Sequence, residues 1–147
     1  MKVRVKKIEG LKLVGETYSG HSVVIDTKKD VGGYESAPSP MEYLLIAVGG
    51  CTLMDVISIL KKMKVKYDEI EIEVEGKRKE EHPKYFEEIN LNYIIKGENV
   101  EIEKVEKAVN LSLEKYCSVS NNLKPKTKIN YNIKIKKEER WGKQLFF

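Results

Sequence analysis

Two cysteines are the residues of this chain best suited to chemistry. Cys51 follows Gly49-Gly50 inside the apolar run SPMEYLLIAVGGCTLMDVISIL (39–60), and Cys117 opens the polar stretch CSVSN. A thiol acts as a nucleophile only as the thiolate, and an ordinary thiol titrates near pKa 8.5. A cysteine in an apolar helix commonly serves as a small hydrophobe that burial keeps inert. The glycines argue for something more at Cys51, because each costs a helix interior roughly 1 kcal/mol relative to alanine. Either a close helix contact or open space beside the sulfur would account for them. Cys117 stands where a helical pattern ends. A new helical turn beginning there would favour a thiolate through its free amides and dipole; simple filling of a helix end is the alternative.

The elements that must position these thiols are legible around them. Ser39, Pro40 and Glu42 form a helix-start signal in which Glu42 occupies the capping-box position. The helix is expected to run to about Met63, with Lys61, Lys62 and Lys64 near the negative end of its dipole. Ahead of it, alternation predicts a hairpin with strands at Val3–Ile8 and Leu11–Gly15. A short strand His21–Asp26 and a loop over 27–39 follow. Beyond it, Ile70, Ile72 and Val74 form one strand, and Ile89, Leu91, Tyr93 and Ile95 the next. A second helix begins near Asn99, its stripe carried by Ile102, Val105, Val109, Leu113 and Tyr116. After a break at Cys117-Ser118, Ser120-Asn121-Asn122 lead into a short helical turn, and Ile129–Ile135 form the last strand. The order is βββ-α-ββ-α-β, an α+β protein with a largely antiparallel sheet packed on two helices.

At 147 residues the chain is expected to be one domain, 1–147. Its 27 basic and 23 acidic residues leave a net charge of only +4, and stretches such as EGKRKEEHPK mix both signs. That speaks against nucleic acid as a partner. MKVRVKKIEGLKL alternates and does not read as a leader, and the apolar run Tyr43–Met54 is shorter than the ~20 residues a bilayer requires. A cytoplasmic protein without membrane attachment is expected, where two cysteines weigh toward catalysis or redox against inert burial. No cofactor is expected. Nor is a metal, because His21 and His82 with the cysteines fit no zinc spacing.

The first helix is apolar all round: Leu44, Leu45, Ile46, Val48, Leu53, Met54, Val56, Ile57, Ile59 and Leu60 leave no polar face. One sheet covers only one side of such a helix. Each large aliphatic left exposed forfeits roughly 1.5–3 kcal/mol of burial. A second copy of the chain is therefore expected to cover the remainder.

With these elements in place, SAPSPMEYLLIAVGGCTLMDVISIL resembles the first-helix motif of the OsmC/Ohr family, the osmotically inducible and organic-hydroperoxide-resistance proteins. EKYCSVSNNL resembles the family's second cysteine motif, and the order of elements between them matches. The resemblance implies an intertwined homodimer and a thiol-dependent peroxidase. Cys51 would attack a hydroperoxide and become a sulfenic acid, Cys117 would condense with it to a disulfide, and an external dithiol would reset the pair. Glu42 falls at the family's active-site glutamate. Glu42 and Cys51 are nine residues apart, about 13.5 Å along a helix axis and on opposite faces. Glu42 would therefore reach Cys51 only from the other chain; it is also a capping residue, and one carboxylate can serve both roles.

One departure matters. The family's peroxidases hold the cysteine as a thiolate with an arginine from before the first helix, whereas this chain has only Arg4, Arg78 and Arg140. Lys28, Lys29 or Arg78 could substitute, His21 less readily, although the lysines read more readily as surface charges and Arg78 as a strand-edge charge. Asp55, one turn after Cys51, either tunes the sulfur or bonds within the dimer. Two functions remain: an organic-hydroperoxide reductase, or a redox-responsive small-molecule-binding protein without turnover. The aromatic tail ERWGKQLFF suggests a further contact.

Overall fold

The computed structural model describes residues 1–137. Arg140 and the aromatic tail lie outside the described residues. The described residues divide into two compact units, the first of residues 1–46 and the second beginning at residue 47.

In the first unit, strands β1 (Val3–Glu9), β2 (Lys12–Thr17) and β3 (Ser22–Ile25) form an antiparallel sheet in that order. His21 belongs to the turn between β2 and β3, where its Nδ1 and the Ser19 hydroxyl hydrogen-bond at 3.1 Å. The loop that follows is organised by one buried carboxylate. Asp26 accepts from the backbone N–H groups of Thr27, Tyr34 and Ser36 and from the Ser36 hydroxyl, at 2.6–3.1 Å. The Ser36 hydroxyl first, then these amides, hold its carboxyl far below the usual carboxylate range against the opposing effect of burial. Gly33 is required at this cage, since a Cβ there would lie 2.2 Å from the Thr27 carbonyl oxygen.

The loop delivers the chain to helix α1 (Pro40–Lys62), which begins in the first unit and continues in the second. Its start is the capping box foreseen. The Ser39 N–H and hydroxyl donate to Glu42 Oε1 at 3.0 and 2.9 Å, and the Glu42 N–H reaches Ser39 Oγ at 3.4 Å.

In the second unit, strands β4 (Glu69–Arg78), β5 (Phe86–Lys96) and β6 (Lys128–Lys136) form a sheet in that order. β4 and β5 are antiparallel; β5 and β6 are parallel, in register from Glu88↔Lys128 to Lys96↔Lys136. The helices between β5 and β6 provide the crossover that parallel pairing demands. These are α2 (Ile102–Leu111), a π-helical turn at Ser112–Tyr116 and α3 (Ser118–Leu123). Among the described residues, two sheets and three helices thus replace the single sheet and two helices of the sequence reading. The α+β class stands.

The core of this unit lies between β5 and two helical stripes. Ile89, Leu91, Tyr93 and Ile95 of β5, Val48, Val56 and Leu60 of α1, and Val105, Ala108 and Val109 of α2 are fully buried. Gly49 permits the closest approach, since a Cβ there would stand 2.8 Å from Val74 Cγ2 of β4; beside Gly50 there is nothing within 4 Å. The outer face of α1 is apolar yet open, with Ile46 58%, Met54 74% and Ile57 37% exposed. Over its 23 residues α1 is long and apolar enough to cross a membrane by length and composition, unlike the shorter run read from the sequence. Its buried stripe at Val48, Thr52, Val56 and Leu60 is the pattern of a helix packed on protein.

Candidate functional site

Cys51 and Asp55 lie one turn apart on α1, and both are half-buried. Cys117 comes from the far side of the sequence and is fully buried. The two sulfurs and a carboxylate oxygen of Asp55 all lie within 4.8 Å of one another.

The π-helical turn sets the position of Cys117. Its N–H donates to the Ser112 carbonyl at 2.7 Å, an i→i−5 bond, and the backbone then leaves the helix. Cys117 next caps α3: its Sγ accepts from the Ser120 N–H at 3.5 Å. Its carbonyl accepts from the Ser120 hydroxyl at 3.1 Å and the Asn121 amide at 2.9 Å. The polar residues of CSVSN are therefore the clasp of the cysteine turn. The helix start expected from the sequence is present, and its effect on the thiol is opposed by burial. Burial pushes the Cys117 thiol up, hydrogen bonds from Ser120 pull against this, and Cys51 pushes it up further.

A chain of buried hydroxyls runs into the site. The Tyr93 hydroxyl and Thr52 Oγ1 are 2.6 Å apart, Thr52 Oγ1 and Ser112 Oγ 2.8 Å, and Ser112 donates to Asp55 Oδ2 at 2.9 Å. Each hydroxyl has one proton, so the last bond fixes the others: Tyr93 donates to Thr52, Thr52 to Ser112, and Ser112 to the carboxylate. Three hydroxyl dipoles are aligned toward Asp55. Burial raises the Tyr93 phenol far above its ordinary value despite the Thr52 hydrogen bond, so Tyr93 remains a donor. Sequence reasoning missed Thr52, Tyr93 and Ser112. The available sign was a lone hydroxyl on each of two otherwise apolar helix faces.

Glu42 and Arg78 are held by hydrogen bonds of their own. Glu42 is in its capping box, where the Ser39 N–H and hydroxyl lower its carboxyl. Lys28 and Lys29 are exposed at the 3₁₀ turn of the loop after β3. Arg78 is exposed, and its Nε donates to the Lys84 carbonyl at 2.8 Å. Arg4 is exposed on β1, and His82 is exposed in the connection from β4 to β5. Among the described residues, no ion pair reaches Asp55.

Together these features define an α+β protein with two free cysteines held at one carboxylate, the first on a long apolar helix and the second at a helix break. The OsmC-like protein profile matches residues 33–132, and the chain belongs to that family. It is 40% identical over 135 residues to Protein YhfA of Escherichia coli K12, covering 92% of this chain and 98% of YhfA. The crystal structure of a hypothetical protein from Aquifex aeolicus is 37% identical, covers 94% of this chain and 97% of its own, and superposes with a TM-score of 0.81. An organic hydroperoxide resistance protein OsmC from Legionella pneumophila, 18% identical with a TM-score of 0.69, covers 91% of this chain and 97% of its own and shares the fold.

Proposed function

We propose that this protein is a thiol-dependent peroxidase that reduces organic hydroperoxides. The observation that carries the reading is the approach of two sulfurs, 66 positions apart in sequence by subtraction (117 − 51), to within 4.8 Å. Cys51 is the attacking residue because it is half-exposed, whereas Cys117 is buried. The Cys51 thiolate displaces the alkoxide from ROOH, giving ROH and a Cys51 sulfenic acid. The Cys117 thiol then condenses with it, forming S–S, breaking S–O and releasing water. An external dithiol reduces the disulfide by exchange. The apolar surroundings of Cys51 on α1 suit an alkyl hydroperoxide.

The protein acts in the cytoplasm as an intertwined homodimer of single OsmC-like domains. The exposed Ile46, Met54 and Ile57 on α1 support a second copy over that face. In this dimer Glu42 acts from the other chain while its Ser39 bonds keep it anionic. The test is consumption of cumene hydroperoxide by reduced protein with excess dithiol. Turnover is expected in the wild type and absent in Cys51→Ser; a wild-type rate no greater than that of the cysteine-free protein overturns the reading.

A second reading is favoured by one observation: a carboxylate stands beside the sulfurs, and no cation pairs with it among the described residues. An anion disfavours a neighbouring thiolate. On this reading the protein is a redox-responsive small-molecule binder, and it predicts ligand retention with peroxide kinetics no faster than free cysteine.

A further inference from the structure

We propose that the reduced protein binds one soft divalent metal ion, of the Zn²⁺ type, through Cys51 Sγ, Cys117 Sγ and Asp55. This inference stands independently of peroxidase turnover. The sequence pointed away from metal because it offered only His21 and His82 as companions to the cysteines. The fold supplies a carboxylate instead.

Four observations converge. The first is spacing. Zn–S bonds of about 2.3 Å and Zn–O bonds of about 2.1 Å at tetrahedral angles put two sulfurs about 3.8 Å apart and a sulfur and oxygen about 3.6 Å apart. The three atoms here already lie within 4.8 Å of one another, so side-chain rotation of about 1 Å closes the site.

The second is the outer shell. Metal-ligating carboxylates are themselves hydrogen-bonded. Ser112, at the end of the Tyr93–Thr52–Ser112 chain, donates to Asp55 Oδ2, and a carboxylate with two oxygens and about four lone-pair sites retains capacity for an ion. The Ser120 N–H orients Cys117 Sγ.

The third is charge. Asp55 has no ion-pair partner among the described residues. Two thiolates and a carboxylate together are stable only with a cation among them, and a divalent ion supplies it. The fourth is access. Cys51 and Asp55 are half-buried and Cys117 fully buried, so the ion would enter from the Cys51 side and keep one open position for water or a ligand. Two sulfurs select a zinc-like ion over magnesium or calcium.

The full chain, reduced and freed of chelator, is titrated anaerobically with Co²⁺. Expected are one ion per chain, thiolate-to-cobalt charge-transfer absorption, and visible bands of tetrahedral intensity that Zn²⁺ abolishes. Cys51→Ser and Cys117→Ser each remove stoichiometric binding. Asp55→Asn weakens it about tenfold or more and shifts the visible bands. Ser112→Ala, which keeps all three ligands, weakens it by about 10–100-fold, and it carries the test if Asp55→Asn fails to fold. Absence of charge transfer at excess Co²⁺ overturns the site. So does one ion per two chains, or wild-type affinity in both folded Asp55→Asn and Ser112→Ala.

Discussion

Adjacent glycines on α1 predict opposite consequences for the same added methyl group. Alanine at either position gains roughly 1 kcal/mol of helix propensity. At Gly49 the new Cβ meets Val74 Cγ2 at 2.8 Å and Ile72 Cγ2 at 3.5 Å. Val74 is β-branched and stiff at χ1, so relief requires the helix or strand to shift. Such overpacking costs roughly 1–3 kcal/mol. Gly49→Ala is therefore expected to lower stability by about 0–2 kcal/mol. At Gly50 nothing lies within 4 Å, and Gly50→Ala is expected to raise stability by up to about 1 kcal/mol. The propensity gain is common to both, so the difference between the variants isolates the steric cost of about 1–3 kcal/mol. At about 3 °C per kcal/mol for a chain of this length, the thermal midpoints separate by about 3–9 °C in circular dichroism at matched concentration. Equal shifts in the two variants refute the reasoning. A loss at Gly50 that grows with protein concentration places the second copy against that residue, and a concentration-independent loss refutes the account outright.

Other perturbations follow from individual hydrogen bonds. Thr52→Val keeps the shape but leaves the buried Tyr93 hydroxyl without its acceptor, at a cost of about 1–3 kcal/mol; adding Tyr93→Phe should recover part of it in a denaturant double-mutant cycle. Asp26→Asn removes acceptors for Ser36 and should destabilise at neutral pH. Because the native carboxyl titrates below its unfolded value near 3.9, its contribution is complete above that value and fades as pH falls further; the stability gap between wild type and variant must narrow below about pH 4. A gap unchanged down to strong acid contradicts this. Glu42→Gln keeps an oxygen acceptor for Ser39 and should retain the thermal midpoint that Glu42→Ala lowers. Loss of peroxide turnover in Glu42→Gln would assign the charge to chemistry, and unchanged turnover would leave Glu42 a cap.

Local signals proved the most readable. Ser39, Pro40 and Glu42 announced the start of α1 because a capping box is built from three nearby residues and needs no tertiary partner. Period-two alternation located the strands, and it carries no information about which strands pair; hence the split into two sheets and the parallel β5–β6 ladder came only from the structure. The break at Cys117 was visible as a change from apolar stripe to polar run. Its cause, a π-helical turn, was not visible, because one extra residue in a helical turn leaves the hydrophobic stripe nearly intact. Asp55 was noticed at one turn from Cys51, yet its link to Ser112, 57 positions further on by subtraction (112 − 55), depends on long-range packing. Asp26 escaped notice because a strand-end aspartate looks the same whether it meets water or four converging donors.

The electrostatics of the cluster connect the peroxidase reading to the metal site. In a peroxide-reducing thiol pair, a fixed cation beside the attacking sulfur holds the thiolate permanently. Here the neighbouring side chain is the carboxyl of Asp55, and burial pushes the Cys117 thiol up. An anion beside a thiol disfavours its thiolate, and a cation favours it. A divalent ion does that for both sulfurs at once, but it also occupies the electron pairs needed to attack an O–O bond. Oxidation and metal binding are then mutually exclusive uses of the same two sulfurs, and Asp55 favours the metal-bound state because it can ligate an ion but cannot join a disulfide. Removing its charge should therefore shift the balance in both directions: Asp55→Asn should bind metal more weakly and, once metal-free, react with hydroperoxide faster than wild type.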